Sequence, residues 1–334
     1  MQRIRSIAAI LAGVPFGLIY GITARVVFGS DVTPGYFSTM SIAFLFLVPA
    51  VIGAITVGLA PAPQRTSWLY ASCMPLASCA IALAVIGALA LEVLICLVMA
   101  APIVAVMGSL GGLLTCAVAR ARARRASTSS TTTNATLLGV LLLSPYLGAL
   151  VERGIPAADQ LAGAQTQITI HASPDVVWRN IVRVPRIDPA ERSFNLLFDL
   201  FGAPRPLEAM LEQDGPGGLR RGMFEHNIVF LERITDWEPG RQIVWDIAVG
   251  DRAAVPAPWS EIGGRFFAVT GAGYRIEPVD ANTVVLHLDS TARVTTHFNG
   301  YAALWARWGL GAFQDEVLKV IKARAEAQAA AMQP

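Results

Sequence analysis

The sequence predicts two architectures in one chain: an all-α transmembrane bundle of about five spans, followed by an α+β domain in which an antiparallel sheet wraps a long C-terminal helix. Three observations predict this. Charge is scarce before residue 152 and ordinary after it. The hydrophobic period changes near residue 164, and a run of strand patterns is closed by one helical segment. The 334 residues are 54% hydrophobic and 15% charged, a composition displaced toward membrane proteins. The formal net charge of +2 is the sum of +5 over residues 1–152 (eight Arg against Asp31, Glu92 and Glu152) and −3 over residues 153–334 (18 Lys and Arg against 21 Asp and Glu). The second half presents no basic field, so no nucleic-acid partner is expected.

In residues 1–152 the apolar runs 6–28, 38–60, 68–88, 92–118 and 134–151 are the expected spans, measured against the roughly 20 apolar residues that a crossing helix needs. The last run is short and holds Ser144 and Pro145, so a helix lying in the interface is the other reading of it. The first run is too long for a cleavable signal peptide and further spans follow it. Arg3, Arg5, Arg65 and the cluster Arg120, Arg122, Arg124 and Arg125 all fall on one side, which predicts a cytoplasmic N-terminus in an inner (cytoplasmic) membrane. Five crossings then place the C-terminal domain outside the cytoplasm; four place it inside. Each span holds one proline (Pro15, Pro49, Pro75, Pro102, Pro145). The spacing of Gly13, Gly17 and Gly21, and of Gly108 and Gly112, suits close helix approach within the bundle. No Asp, Glu, Lys or His lies mid-span, which argues for an anchor and against a proton-coupled transporter. Cys73, Cys79, Cys96 and Cys116 all lie in this half and read as small apolar fillers.

Residues 153–163 read as a linker, and the domain is expected over 164–328. QTQITIHA (165–172) alternates as a strand does. Ser173-Pro174-Asp175 opens a helix with Ser as N-cap and Pro at the first position. A second helix is predicted over 189–201 from Phe194, Leu197, Phe198 and Phe201. Strands follow over 206–212, 219–225, 227–237, 241–249, 264–277 and 282–294, and Asn299 to about Gln328 is helical. A curved sheet does not close tightly on one helix, so a cavity lined by apolar side chains is expected. The long segments 186–214 and 250–263 are candidate lids over it.

ITIHASPDVVWRNI (168–181), GGLRRGMFEH (217–226), LERITDWEPGRQIVWDI (231–247) and AFQDEVLKVIKAR (312–324) resemble, in that order, blocks of the START-like, polyketide cyclase/dehydrase and lipid-transport superfamily. The resemblance covers about residues 164–328 and leaves the membrane half outside it. It implies a helix-grip fold around a hydrophobic cavity. Members of that superfamily bind lipids, sterols, polyketides or hormones, and only some catalyse reactions.

The four histidines, His171, His226, His287 and His297, match no zinc spacing and read as structural. Glu225 and His226 meet at a strand turn and are the one candidate acid–base pair, without a visible nucleophile or metal partner. Arg220, Arg221 and Arg293 either orient a polar ligand head or are exposed strand charges. The aromatic set is the stronger signal, since such side chains line apolar pockets. Tyr301, Trp305 and Trp308 lie on the early half of the terminal helix, which faces the cavity in similar proteins; with Trp245, Phe224 and Phe267 they are the expected ligand-binding residues. No phosphate loop, dinucleotide fingerprint, serine elbow or metal cluster is present, so no catalytic residue, metal or cofactor is expected. The sequence reading is membrane-anchored binding of a hydrophobic small molecule or lipid, without chemistry. Two alternatives stand beside it: a cyclase- or dehydratase-like enzyme on a hydrophobic substrate, and a protein-interaction module of an envelope complex.

Overall fold

The computed structural model describes residues 13–29, 37–125, 131–256 and 259–332. They form two compact units, Met1–Ala157 and Ala158–Pro334. The first unit is helical: α1 (Val14–Phe28), α2 (a π turn Ala43–Leu47 continuing as Val48–Gly58), α3 (Trp68–Ala88), α4 (Leu94–Arg125) and α5 (Thr131–Arg153). Small residues bring these helices together. A methyl at Gly13 would collide with the Thr56 carbonyl, one at Gly53 with the Gly108 carbonyl, and one at Gly111 with the Ala50 carbonyl. The glycine stripes therefore act inside the bundle, where α1 meets α2 and α2 meets α4. Several polar groups are paired across helices. The Thr56 and Ser78 hydroxyls lie 2.9 Å apart, the Tyr20 hydroxyl donates to the Leu142 carbonyl (2.9 Å), and Arg25 pairs with Glu92 (2.9 Å). The Glu152 carboxylate accepts from the Ile42 and Ala43 amides (2.9 and 3.0 Å), capping the start of α2.

The expectation of about five spans is corrected. Among the described residues two helices are long and apolar enough to cross a membrane, Trp68–Ala88 and Leu94–Arg124. Helix α1 has 15 residues and Ala43–Gly58 is likewise a shorter apolar helix. At 1.5 Å per residue each is several ångströms short of the roughly 30 Å hydrocarbon layer. The start of the first expected span lies outside the described residues. The run 134–151 belongs to α5, which begins in the polar Thr131–Asn134 and so has too short an apolar stretch. On α4, Val106, Leu110, Leu114 and Val118 repeat every four residues and are all exposed, giving one uncovered apolar stripe.

The second unit is a seven-stranded antiparallel sheet in the order β1-β7-β6-β5-β4-β3-β2. The strands are β1 (Asp159–Ile170), β2 (Pro206–Leu211), β3 (Leu219–Phe224), β4 (Val229–Glu238), β5 (Gln242–Val249), β6 (Phe267–Asp280) and β7 (Thr283–Thr295). Strand β1 starts six residues before the predicted strand, because 159–164 continues the pairing with β7 through Ala164↔Ser290 and Ala162↔Ala292. Bulges at Ile234/Asp236 and Val269/Gly271 bend the sheet. Helix α6 (Pro174–Val182) closes one end of the concave face, and the 33-residue α7 (Asn299–Ala331) packs chiefly on β1 and β7. This curled sheet gripping its terminal helix is the helix-grip arrangement. Gln314 fixes α7: its amide donates to the Ala164 carbonyl and the Ser290 hydroxyl (3.0 Å each) and accepts from the Thr166 hydroxyl (2.7 Å). The core beneath, Ile170, Val177, Ile181, Ile234, Ile243, Leu286, Leu288, Leu318 and Ile321, comes from α6, the sheet and the later turns of α7.

Two local expectations differ. Ser173 stands at the N-cap of α6, but its hydroxyl makes no capping bond; its carbonyl receives the Val176 and Val177 amides. The predicted helix 189–201 is instead a 3-10 turn (Pro189–Glu191), an extended stretch and a π turn (Leu196–Leu200). Asn195 breaks it, accepting from the Leu197 amide (2.9 Å) while donating to the Ala312 carbonyl of α7 (2.7 Å).

Candidate functional site

Alternation along each strand selects the residues that face α7. On β5 these are Ile243, Trp245, Ile247 and Val249; on β4, Phe230, Glu232, Ile234 and Trp237; on β6, Phe267, Val269, Ala272, Tyr274 and Ile276, with the register carrying the face across. Burial along that face is uneven. Ile243, Trp245, Ile234, Tyr274 and Ile276 are buried, whereas Phe230, Ile247, Val249, Phe267, Val269 and Ala272 are only half-buried. Solvent thus reaches the inner face at the end that carries the 225–228 turn and the 250–266 loop. Helix α7 leaves space there too. Gly309 lies between Trp305 and Phe313 at spacings of four, and a methyl on it would meet no atom within 4 Å. That end of the inner face is therefore apolar and incompletely covered, with the buried core beneath it.

Three of the expected ligand residues lie on the inner face. Phe224 packs edge-on to Phe230 (4.8 Å) and stacks on Phe313 of α7 (5.8 Å), walling one side. Phe267 packs with Ala162, Val294, Ala303 and Ala306 on the other. Trp245 is 3% exposed and forms the floor. The other three form an aromatic chain on α7: Tyr301 to Trp305 (6.4 Å), Trp305 to Trp308 (5.8 Å), and Trp308 to Phe201 (5.5 Å). Helical spacing puts Trp305 beside Gly309 at the border of that open end and turns Tyr301 and Trp308 away from β1, so Trp308, 37% exposed, stands at the surface with Leu200 and Leu304. Phe230, Phe313 and Tyr274 belong to the wider aromatic set of the sequence but not to the six expected ligand residues, and Gly309 carries no sequence signal; the β3–β4 register is what brings Phe230 opposite Gly222, next to Phe224.

The floor carries charge. Arg220 and Glu232 face each other across β3 and β4 with side chains 4% and 9% exposed, and they are ion-paired. Arg220 also donates to the Ile181 and Val182 carbonyls (3.3 Å each), capping the end of α6, and lies 5.0 Å above the Trp245 ring. Burial pushes the Glu232 carboxyl above its usual range, against the pull of the Arg220 charge. Burial likewise raises the Tyr274 phenol, which stays protonated. Arg221 points outward to Glu212, and Arg293 donates to the Gly264 and Arg265 carbonyls (3.1 and 3.0 Å).

Glu225 and His226 do not form an acid–base pair. The Glu225 carboxylate accepts from the Arg205 amide (3.1 Å) and lies 3.7 Å from Arg192, while exposed His226 stacks on Trp259 (5.8 Å). His226 and Asn227 both take positive φ (59° and 60°), as a two-residue type I′ hairpin turn requires, so the turn aims the imidazole outward. His287 is held on the outer face by Glu277 (2.9 Å). Among the described residues no group of His, Cys, Asp and Glu could hold a metal ion.

Of the two segments expected to be lids, the first, 186–214, is fastened to α7. Arg324 of α7 grips Glu191 (2.6 and 2.8 Å) and the Pro185 carbonyl (3.0 Å). Arg205 bridges Asp199 (2.5 Å) and Glu316 of α7 (3.0 Å), and the Ser193 hydroxyl donates to Glu316 (2.9 Å).

No family model matches the chain, and neither does any curated protein. Solved structures similar to the second unit include a START superfamily protein from Mycobacterium smegmatis (13% identical, 50% of this chain and 99% of that one, TM-score 0.33). The Zhui aromatase/cyclase from Streptomyces sp. R1128 is 16% identical over 51% of this chain and 94% of its own, with a TM-score of 0.30. A norcoclaurine synthase from Thalictrum flavum is 13% identical over 49% and 96%, with a TM-score of 0.29. The helix-grip assignment rests on strand order, register and the placement of α7 rather than on these superpositions.

Proposed function

We propose that this chain is a membrane-anchored binding protein that takes a hydrophobic small molecule or lipid into the hollow between β3–β6 and α7, and does no chemistry on it. The observation that carries the reading is the gradient along the inner face: filled at the α6 end, half-open and apolar at the other, with space over Gly309. Trp245, Phe224, Phe267 and Trp305 are the proposed contacts, with Tyr301 and Trp308 at the rim. A non-catalytic role is supported by the engagement of Glu225 and Glu232 in ion pairs and by the outward stacking of His226. Anchoring is supported by two helices of crossing length and by the bare stripe on α4. The argininyl end of α4 and Arg65 put the N-terminus in the cytoplasm in this reading. The side on which the second unit lies follows from whether α5 crosses, and a reporter fused after Pro334 reads it directly.

The test is extraction of the full chain in detergent, followed by mass spectrometry of what organic solvent releases from it. An apolar compound near one per chain, absent from empty micelles, is expected, and Trp305→Ala lowers its occupancy. A chain that carries nothing and binds no 2-acetylnaphthalene or 2-ethylnaphthalene sinks the reading.

A further inference from the structure

The floor of the hollow holds a polar group that the protein does not satisfy. Trp245 is 3% exposed, and its indole Nε1 has no hydrogen-bond partner among the described residues. An N–H donor left unpaired in an apolar interior costs about 1–3 kcal/mol, so native proteins rarely keep one without a use. Its position is informative. The residue opposite on β6 is Ala272, and the next inward residue on β5 is Ile247; both are half-buried. Trp245 therefore belongs to the first closed layer under the opening, where a bound molecule would touch bottom. Tyr274, whose ring lies 5.5 Å from that of Trp245, brings a second donor to this layer. Glu232, the nearby acceptor, is engaged by Arg220. The layer is thus rich in donors and poor in free acceptors.

We infer that the floor recognises one oxygen acceptor, a carbonyl, on an otherwise apolar ligand, with Trp245 Nε1 as the donor and the Tyr274 hydroxyl as its neighbour. This rests on the reading that the hollow binds hydrophobic molecules and adds the functional group that it selects. A pure hydrocarbon fills the same space but leaves the indole unpaired. A fatty acid carboxylate would bring an uncompensated charge into an apolar layer whose one cation, Arg220, is already engaged by Glu232, so a neutral ketone or ester is the class that fits.

Two probes of nearly equal shape separate these possibilities: 2-acetylnaphthalene, which has the carbonyl, and 2-ethylnaphthalene, which lacks it. The full chain is used in detergent with its seven tryptophans isotope-labelled at the indole nitrogen. The ketone is expected to move one indole proton, assigned by its loss in Trp245→Phe, downfield as the hydrogen bond forms, while the hydrocarbon binds without that shift. Trp245→Phe removes the donor and part of the ring area, so it weakens both probes, and the ketone about fivefold more than the hydrocarbon. If the variant does not fold, the wild-type shift and its preference for the ketone decide alone. Binding of both probes with no shift and no preference overturns the carbonyl assignment and leaves the hydrophobic site standing. Binding of neither overturns both.

Discussion

Arg220 and Glu232 occupy inner-face positions where a sheet core is ordinarily apolar, and each depends on the other. Removing one partner leaves a desolvated charge, which typically costs about 3–5 kcal/mol. Arg220→Met is therefore expected to destabilise the second unit by that amount and to uncap α6 as well. Arg220→Met with Glu232→Leu should recover much of the loss, which denaturant unfolding followed by tryptophan fluorescence measures. Gly309 gives the opposite signature. Glycine inside a helix is about 1 kcal/mol worse than alanine, and here a side chain would enter open space. Gly309→Leu should raise the unfolding midpoint slightly while abolishing binding of 2-ethylnaphthalene; a variant that still binds it normally would show that the ligand lies elsewhere. Neither position was legible in the sequence. Arg220-Arg221 must put one guanidinium on each face of a strand, but which one is inward, and that Glu232 lies opposite, follow only from register. The inner-face placement of Trp245, Phe224 and Phe267 was legible because large aromatics on alternating strands have few other places to go.

Strands could be read closely because turn formers bracket them: 206–212, 219–225 and 241–249 as predicted became Pro206–Leu211, Leu219–Phe224 and Gln242–Val249. The segment 189–205 was not, since its shape comes from distant partners on α7. Asn195, Asp199 and Arg205 have no pattern of their own until Ala312 and Glu316 arrive. That fastening predicts a pH dependence. The Arg324 hydrogen bonds hold the Glu191 carboxyl below its usual range, and the Asn195 amide with Arg205 does the same for Asp199. A carboxyl whose folded pKa is depressed stabilises the fold fully above its unfolded value, and that contribution is lost as pH falls through the folded value. Thermal midpoints should therefore hold near neutrality and drop below about pH 4–5. Glu191→Gln should lower the neutral midpoint by about 2–4 °C and flatten the acid-side fall. An unchanged profile would mean that the segment is held by packing alone.

Across the molecule, the asymmetry of charge announced two units, and the chain divides at Ala157. The span count was less legible, because hydropathy windows count apolar residues and do not see where helices begin. Helix α2 starts at Ala43 because Glu152 caps its amides there, five residues after the apolar run does. What the first unit uses as solvent is decided by α4, where Val106, Leu110, Leu114 and Val118 stand exposed in one stripe. In water such a stripe would be a large apolar patch that a monomer seldom shows. Against lipid tails it costs nothing. The two cases answer oppositely to one substitution. Val106 lies midway along the apolar part of α4, and an Asp at the centre of a crossing helix disfavours insertion by about 2.5–3.5 kcal/mol. A surface Val→Asp on a soluble bundle is worth within about 0.5 kcal/mol and improves solubility. Val106→Asp is therefore expected to shift the chain from an alkali-resistant membrane fraction toward degradation or aggregation, while Arg122→Asp, at the charged end of the same helix, changes this much less. Soluble recovery of the Val106→Asp chain without detergent, with its ligand occupancy intact, would refute the anchor and leave the hollow of the second unit as the protein's whole function.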